Sequence, residues 1–159
     1  KLKHRLLKNL LFIRLTVKQV WQMASTQTLD RIRRELIDSG KDIRYKIGAY
    51  EFLLNGLDFY LTQLGEKRHV NGAELSMALL NFAFKQYGLM SHDVLSYWGI
   101  KKTDDFGNIV FNMISIGLMS KQPEDKIEDF FDVVDITGFF KDKQYFEIDK
   151  NYIKSTKGA

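Results

Sequence analysis

At 159 residues with 45% hydrophobic side chains, the chain is sized for one globular domain, and twelve Phe, seven Tyr and two Trp give its core an aromatic character. Cysteine is absent, so there is no disulfide and no thiolate metal site, which fits a reducing, cytoplasmic setting; the apolar runs fall far short of the roughly 20 residues that span a bilayer. The net charge of +4 belongs to one end: residues 1–22 carry six basic side chains and no acid, whereas residues 23–159 carry 18 basic against 20 acidic ones, so nucleic acid is not an expected partner of that part.

Residues 1–22 are read as a basic leader, residues 23–153 as a single globular domain and residues 154–159 as a disordered tail. In the leader Leu2, Leu6, Leu10, Ile13, Val17, Val20 and Trp21 share one helical arc, while Leu11, Phe12 and Leu15 fall opposite. Three readings stand: a surface-binding amphipathic segment, an organelle-type targeting peptide, or upstream sequence translated in frame before Met23.

Beyond Met23, Leu29, Ile32, Leu36 and Ile37 recur at helical spacing, which predicts a helix from Thr28, its N-cap, to Ser39, with Gly40 as C-terminal stop. A second helix is predicted from Ile43 to Leu64, stopped by Gly65. Gly48 and Gly56 within it imply close approach of a neighbouring helix, because glycine otherwise weakens a helix interior. The next start is the best specified: Asn71 as N-cap, Glu74 three residues later, and Val70 with Leu75 in the positions of a hydrophobic staple. Leu75, Ala78, Leu79, Phe82 and Ala83 continue the buried stripe to Tyr87-Gly88. A shorter helix follows, capped by Ser91, with Val94, Leu95 and Trp98 inward and Gly99 at its end.

Thr103 is read as the cap of another helix, with Asp104 and Asp105 in the first turn, where negative charge opposes the macrodipole. Phe106, Ile109, Val110, Met113 and Ile114 are its buried positions; Asp105, Asn108, Asn112 and Ser115 share the opposite face. Helix, Gly-containing turn and helix together have the rhythm of a helix-turn-helix. Leu118–Gln122 and Ile127–Ile136, joined by a turn at Pro123–Lys126, then suggest a two-stranded wing. Ile127, Phe130, Phe131 and Val134 also fit helical spacing, while β-branched and aromatic content favours strand. The fold class expected is mainly α (α+β): a compact helical domain with a winged-helix-like helix-turn-helix and a small β-hairpin near the C-terminus. One more short element is expected within residues 139–153.

Chemistry-bearing signatures are sparse. His4, His69 and His92 form no spaced metal pair, and no nucleophile elbow, phosphate loop or dinucleotide fingerprint occurs. Eight carboxylates cluster at Asp104, Asp105, Glu124, Asp125, Glu128, Asp129, Asp132 and Asp135, without the spacing of a calcium loop. Residues 101–137 hold four Lys against these eight acids, so the would-be recognition helix and wing repel phosphate. No cofactor is expected. The sequence reading favours a non-enzymatic binding module for a protein partner or a second copy, through Lys101, Lys102, Asp105, Asn108 and Asn112 with Glu124, Asp125 and Asp129 alongside. Nucleic-acid binding through the leader and a small carboxylate enzyme are the alternatives.

The segments Ala49-Tyr50-Glu51-Phe52, Arg68-His69-Val70-Asn71-Gly72-Ala73-Glu74-Leu75, Trp98-Gly99-Ile100, Asp105-Phe106-Gly107-Asn108-Ile109-Val110-Phe111-Asn112 and Glu128-Asp129-Phe130 together resemble a bacterial family of conserved hypothetical proteins of the Verrucomicrobia/Planctomycetes type. The resemblance covers roughly residues 45–140 and leaves residues 1–22 outside. It implies no assigned activity, so it transfers no site residues.

Overall fold

The computed structural model describes residues 26–65 and 70–146; the leader, His69 and the tail from Lys154 lie outside the described residues. Helix α1, Thr26–Ile32, runs straight on into a π-helical stretch, Arg33–Asp38. After a loop come α2, Ile47–Leu64; α3, Gly72–Tyr87; α4, Ser91–Tyr97; α5, Thr103–Ser115; and α6, Ile136–Phe146. Short 3-10 turns, Gly88–Met90 and Ile127–Phe130, precede α4 and follow α5. Helices pack around one buried cluster that draws side chains from every helix from α1 to α6.

Glycines set the ends. At the close of α4, Gly99 adopts φ +95, with its N–H on Ser96 O (3.0 Å) and that of Ile100 on Leu95 O (2.9 Å). At the close of α5, Gly117 adopts φ +70, with its N–H on Ile114 O and that of Leu118 on Met113 O, both 2.9 Å. Both are Schellman motifs, which satisfy carbonyls that a helix end otherwise leaves open. The start of α3 also matches expectation, since Asn71 Oδ1 accepts from the Glu74 N–H at 2.8 Å.

Thr28, Ser91 and Thr103 are not N-caps. Thr28 lies inside α1, and Ser91 and Thr103 are the first residues of their helices, both buried. The Ser91 hydroxyl donates to Ala83 O (3.1 Å) and Gly88 O (2.5 Å), tying α4 to the end of α3. Ile43 lies in the loop ahead of α2, 75% exposed, so the second helix begins four residues later than its apolar pattern suggests.

Close packing requires the two α2 glycines. A Cβ at Gly48 would lie 2.5 Å from Trp98 Nε1, and one at Gly56 would lie 2.5 Å from Leu79 Cδ2. The indole on Gly48 joins an aromatic cluster: Phe52–Trp98 5.7 Å, Phe52–Phe82 5.5 Å, Phe59–Phe82 5.1 Å and an edge-on Tyr87–Trp98 pair at 5.8 Å. These separations suit ring quadrupoles and seal α2 against α3 and α4.

The wing is absent. No strand occurs among the described residues; Leu118–Gln122 is irregular, Ile127–Phe130 forms the 3-10 turn, and Ile136 opens α6. Tertiary packing overrides local β preference here. Phe130 is buried against two glycines, one opening α3 and one inside α5: a Cβ at Gly72 would come 2.7 Å from its Cδ2, and one at Gly107 would come 2.9 Å from its Cβ. A one-turn helix aims this ring inward while leaving Glu128 and Asp129 in water. The mainly helical expectation holds; the winged-helix and hairpin expectation does not.

Gly107→Ala and Gly48→Ala are expected to lower stability by about 1–3 kcal/mol through overpacking. Helix propensity alone would raise it by about 1 kcal/mol. Urea denaturation of the two variants distinguishes the outcomes by sign.

Candidate functional site: the polar face of α5

The polar face of α5 turns inward, onto the loop and first turn of α2. Successive turns of α5 meet residues 41–50 opposite. Tyr45 Oη donates to Asp105 Oδ1 (2.6 Å) and accepts from Asn108 Nδ2 (3.1 Å). Asn112 Nδ2 donates to Asp42 Oδ2 (2.7 Å) and to Tyr50 Oη (3.1 Å). Lys41 Nζ donates to Ser115 Oγ at 2.9 Å. Tyr45, Tyr50 and Asp42 are buried, and no buried side-chain nitrogen or oxygen among the described residues lacks a partner.

Asp42 anchors this seam. Its carboxylate takes Arg44 Nε (3.0 Å), Arg44 Nη2 (2.7 Å) and the Arg44 backbone N–H (3.0 Å), besides Asn112. The carboxylate is enclosed while the Arg44 side chain stays 58% exposed, so the arginine forms a lid on a buried charge. Burial pushes the Asp42 carboxyl upward, but the hydrogen bonds from Arg44 and Asn112 together outweigh it and hold the group below its ordinary value. Arg44 is raised in return by its bond to Asp42. Burial pushes Tyr50 up to about 12 despite the Asn112 bond. Tyr45 is raised too, by burial and by the Asp105 carboxylate it serves.

The ends of α5 are equally occupied. Asp105 Oδ2 accepts from the backbone N–H groups of Lys101 (2.8 Å) and Lys102 (2.9 Å). Asp104 Oδ1 accepts from the Asp132 N–H (3.0 Å), and Thr103 Oγ1 from the Val133 N–H (3.1 Å). At the other end Arg31 Nη2 donates to Ile116 O, placing a cation at the negative pole. The turn that would face a DNA groove is thus held by the chain's own backbone.

The expected interaction face therefore divides. Asp105, Asn108 and Asn112 are half-buried and bond within the fold. Lys101 and Lys102 are exposed; with Thr103, Asp132, Val134, Asp135 and Ile136 they line a shallow groove of about 270 Å³. Glu124 is exposed. Asp125 and Asp129 accept local backbone N–H groups, from Gln122 (2.7 Å) and Lys126 (3.1 Å), so each closes its own turn. His92 sits apart, its Nε2 3.3 Å from Thr137 Oγ1 and its Nδ1 3.5 Å from Asp93. No group of three or more His, Asp or Glu among the described residues is arranged to hold a metal.

Sequence reasoning missed Asp42, Arg44 and the two tyrosine hydroxyls as partners of α5. A signal existed: two Asn within one helix, Asn108 and Asn112, are poor helix formers whose amides compete for local backbone bonds, so fixed tertiary partners explain their presence. The sequence pattern also passed over Leu89, Met90 and Tyr97, which are 63%, 59% and 67% exposed.

No family model matches the sequence, and no curated protein or solved structure gives a significant match. No described helix is long and apolar enough to cross a membrane.

Two outcomes test the seam. Asp42→Ala is expected to cost about 2 kcal/mol in urea denaturation, because Asn112 loses a charged acceptor while the exposed Arg44 regains water. The pH response has two sides. Asp42 is depressed in the folded state, so its contribution stands above the unfolded value of about 3.9 and is lost as pH falls through the folded value. Tyr50 is raised, so its contribution stands below the unfolded value of about 10 and is lost as pH rises through about 12. The stability difference between the wild type and Tyr50→Phe should accordingly narrow between pH 10 and pH 12.

Proposed function

We propose that the chain is a non-enzymatic binding module that contacts a partner protein, or a second copy of itself, through the outer face of α4. One observation carries this reading: Leu89, Met90 and Tyr97 are 63%, 59% and 67% exposed within nine residues. Single exposed apolar side chains are ordinary, but Met90, the residue just before α4, and Tyr97, its last, stand seven residues or about two turns apart. Met and Tyr are also residue types enriched in interface cores.

Basic side chains border one end of this face, and the exposed Asp93 lies between Met90 and Tyr97. Lys46 Nζ lies 3.3 Å from the centre of the Tyr97 ring, and Lys101 and Lys102 are exposed just beyond the end of α4. A partner with an apolar pocket, carrying carboxylates toward the lysines and a cation toward Asp93, fits that arrangement. The scaffold is the helical core, with α5 fixed by its polar seam and α4 presented outward. A cytoplasmic setting and membership of the bacterial family that the sequence resembles belong to the same proposal.

Neither alternative has comparable support. For nucleic acid, the first turn of α5 is acidic and already bonded to residues 132–133. For an enzyme, Asp104, Asp105, Asp125, Asp129, Asp135 and His92 each have separate partners, and Glu124 and Glu128 are exposed.

The full chain carrying Met90→Glu and Tyr97→Glu is expected to keep its helical circular dichroism and lose at least tenfold in association, measured by co-purification and analytical ultracentrifugation. Equal association by the variant, or a wild type that remains monomeric and partnerless, would count against the proposal.

A further inference from the structure

The chain holds no cysteine, so its sulfur chemistry rests on five methionines. Four of them lie among the described residues, and their surroundings differ. Met113 is fully buried in the core, and Met119 packs against it. Met77, on α3, is 37% exposed, whereas Met90 is 59% exposed. Met90 is thus the most open of the four, and oxidation of a side chain follows its exposure.

The backbone that carries Met90 is pinned. Gly88 ends α3 at φ +53, with its N–H on Phe84 O. The Ser91 hydroxyl then fastens the turn to Ala83 O and Gly88 O. Met90 stands on this fixed turn with its side chain outside the core, between the exposed Leu89 and Tyr97 in sequence. A chemical change at its sulfur therefore alters the surface and leaves the packing intact. Sulfoxide formation turns a flexible apolar side chain into a polar one, and burying a polar oxygen against an apolar partner without a hydrogen bond is costly.

We propose that Met90 is a reversible oxidation site for hydroperoxides, and that its sulfoxide releases the partner held by the outer face of α4; the release rests on the function proposed above. In the forward step a sulfur lone pair attacks a peroxide oxygen, an S–O bond forms and the O–O bond breaks. With hydrogen peroxide, the proton on the transferred oxygen passes to the leaving hydroxide, which departs as water. Sulfur loses two electrons and the peroxide gains them. A dithiol, acting through a methionine sulfoxide reductase, returns two electrons, and the products are thioether, disulfide and water.

Timed exposure of the full chain to hydrogen peroxide, followed by peptide mass spectrometry, tests the site. Met90 is expected to gain oxygen at least tenfold faster than Met113 and faster than Met77, with helical circular dichroism unchanged. Oxidation of Met77 or Met119 ahead of Met90 overturns the assignment. Association measured on the same samples tests the release: it should fall at least tenfold on oxidation and return after treatment with the reductase and dithiothreitol. Met77→Leu should respond to peroxide as the wild type does, and Met90→Leu should keep its own starting association after the same treatment. A wild type that associates equally before and after conversion of Met90 overturns the release and leaves the proposed function standing. A wild type that associates with nothing before treatment defeats that function and the release together, and the order of oxidation then decides the site.

Discussion

The structure depends on the way α5 uses both of its faces. Phe106, Ile109, Val110 and Met113 are buried in the common core, while Asp105, Asn108, Asn112 and Ser115 pair with Tyr45, Asp42, Tyr50 and Lys41. Inside a protein such bonds are strong when complete, and a single orphaned group is expensive. This gives the seam its specificity. Sliding α5 by one residue would separate both tyrosine hydroxyls and the Asp42 carboxylate from their partners at once, whereas an apolar seam would tolerate the shift.

From this constraint the rest of the arrangement follows. With α5 fixed, Gly107 presents one wall of the slot that receives Phe130, and Thr103 and Asp104 hold the backbone of Val133 and Asp132 just beyond it. Trp98 O accepts from the Lys46 N–H (3.1 Å), so the α4–α5 turn is bound to the same loop that carries Asp42 and Tyr45. A Cβ on Gly99 would collide with Arg44 O, which explains a glycine there beyond its left-handed conformation. The helix whose pattern most suggested recognition is the one most committed to folding. The large exposed apolar side chains lie elsewhere, at Leu89 and Met90 ahead of α4 and at Tyr97 in its last turn.

Much of the helical layout was legible in the chain. Gly40, Gly65, Gly99 and Gly117 stop helices in left-handed conformations, Asn71 and Glu74 start one, and Gly48 and Gly56 mark close approaches, all through local chemistry. The polar stripe of α5 was misplaced for a physical reason. Periodicity separates apolar from polar positions, but it does not separate a polar residue facing water from one facing another polar residue. The wing failed differently. Ile127 to Ile136 has the composition of a strand, yet its conformation is set by a slot made of Gly72 and Gly107, residues 55 and 20 positions upstream of Ile127. Such a slot exists only once α3 and α5 are packed.

A double-mutant cycle between Tyr45→Phe and Asp105→Ala measures most directly whether the seam holds the fold together. The 2.6 Å bond between a neutral, buried hydroxyl and a half-buried carboxylate predicts a coupling free energy of about 1.5–3 kcal/mol in urea denaturation. Additive effects, with coupling indistinguishable from zero, would contradict it and return the polar face of α5 to solvent.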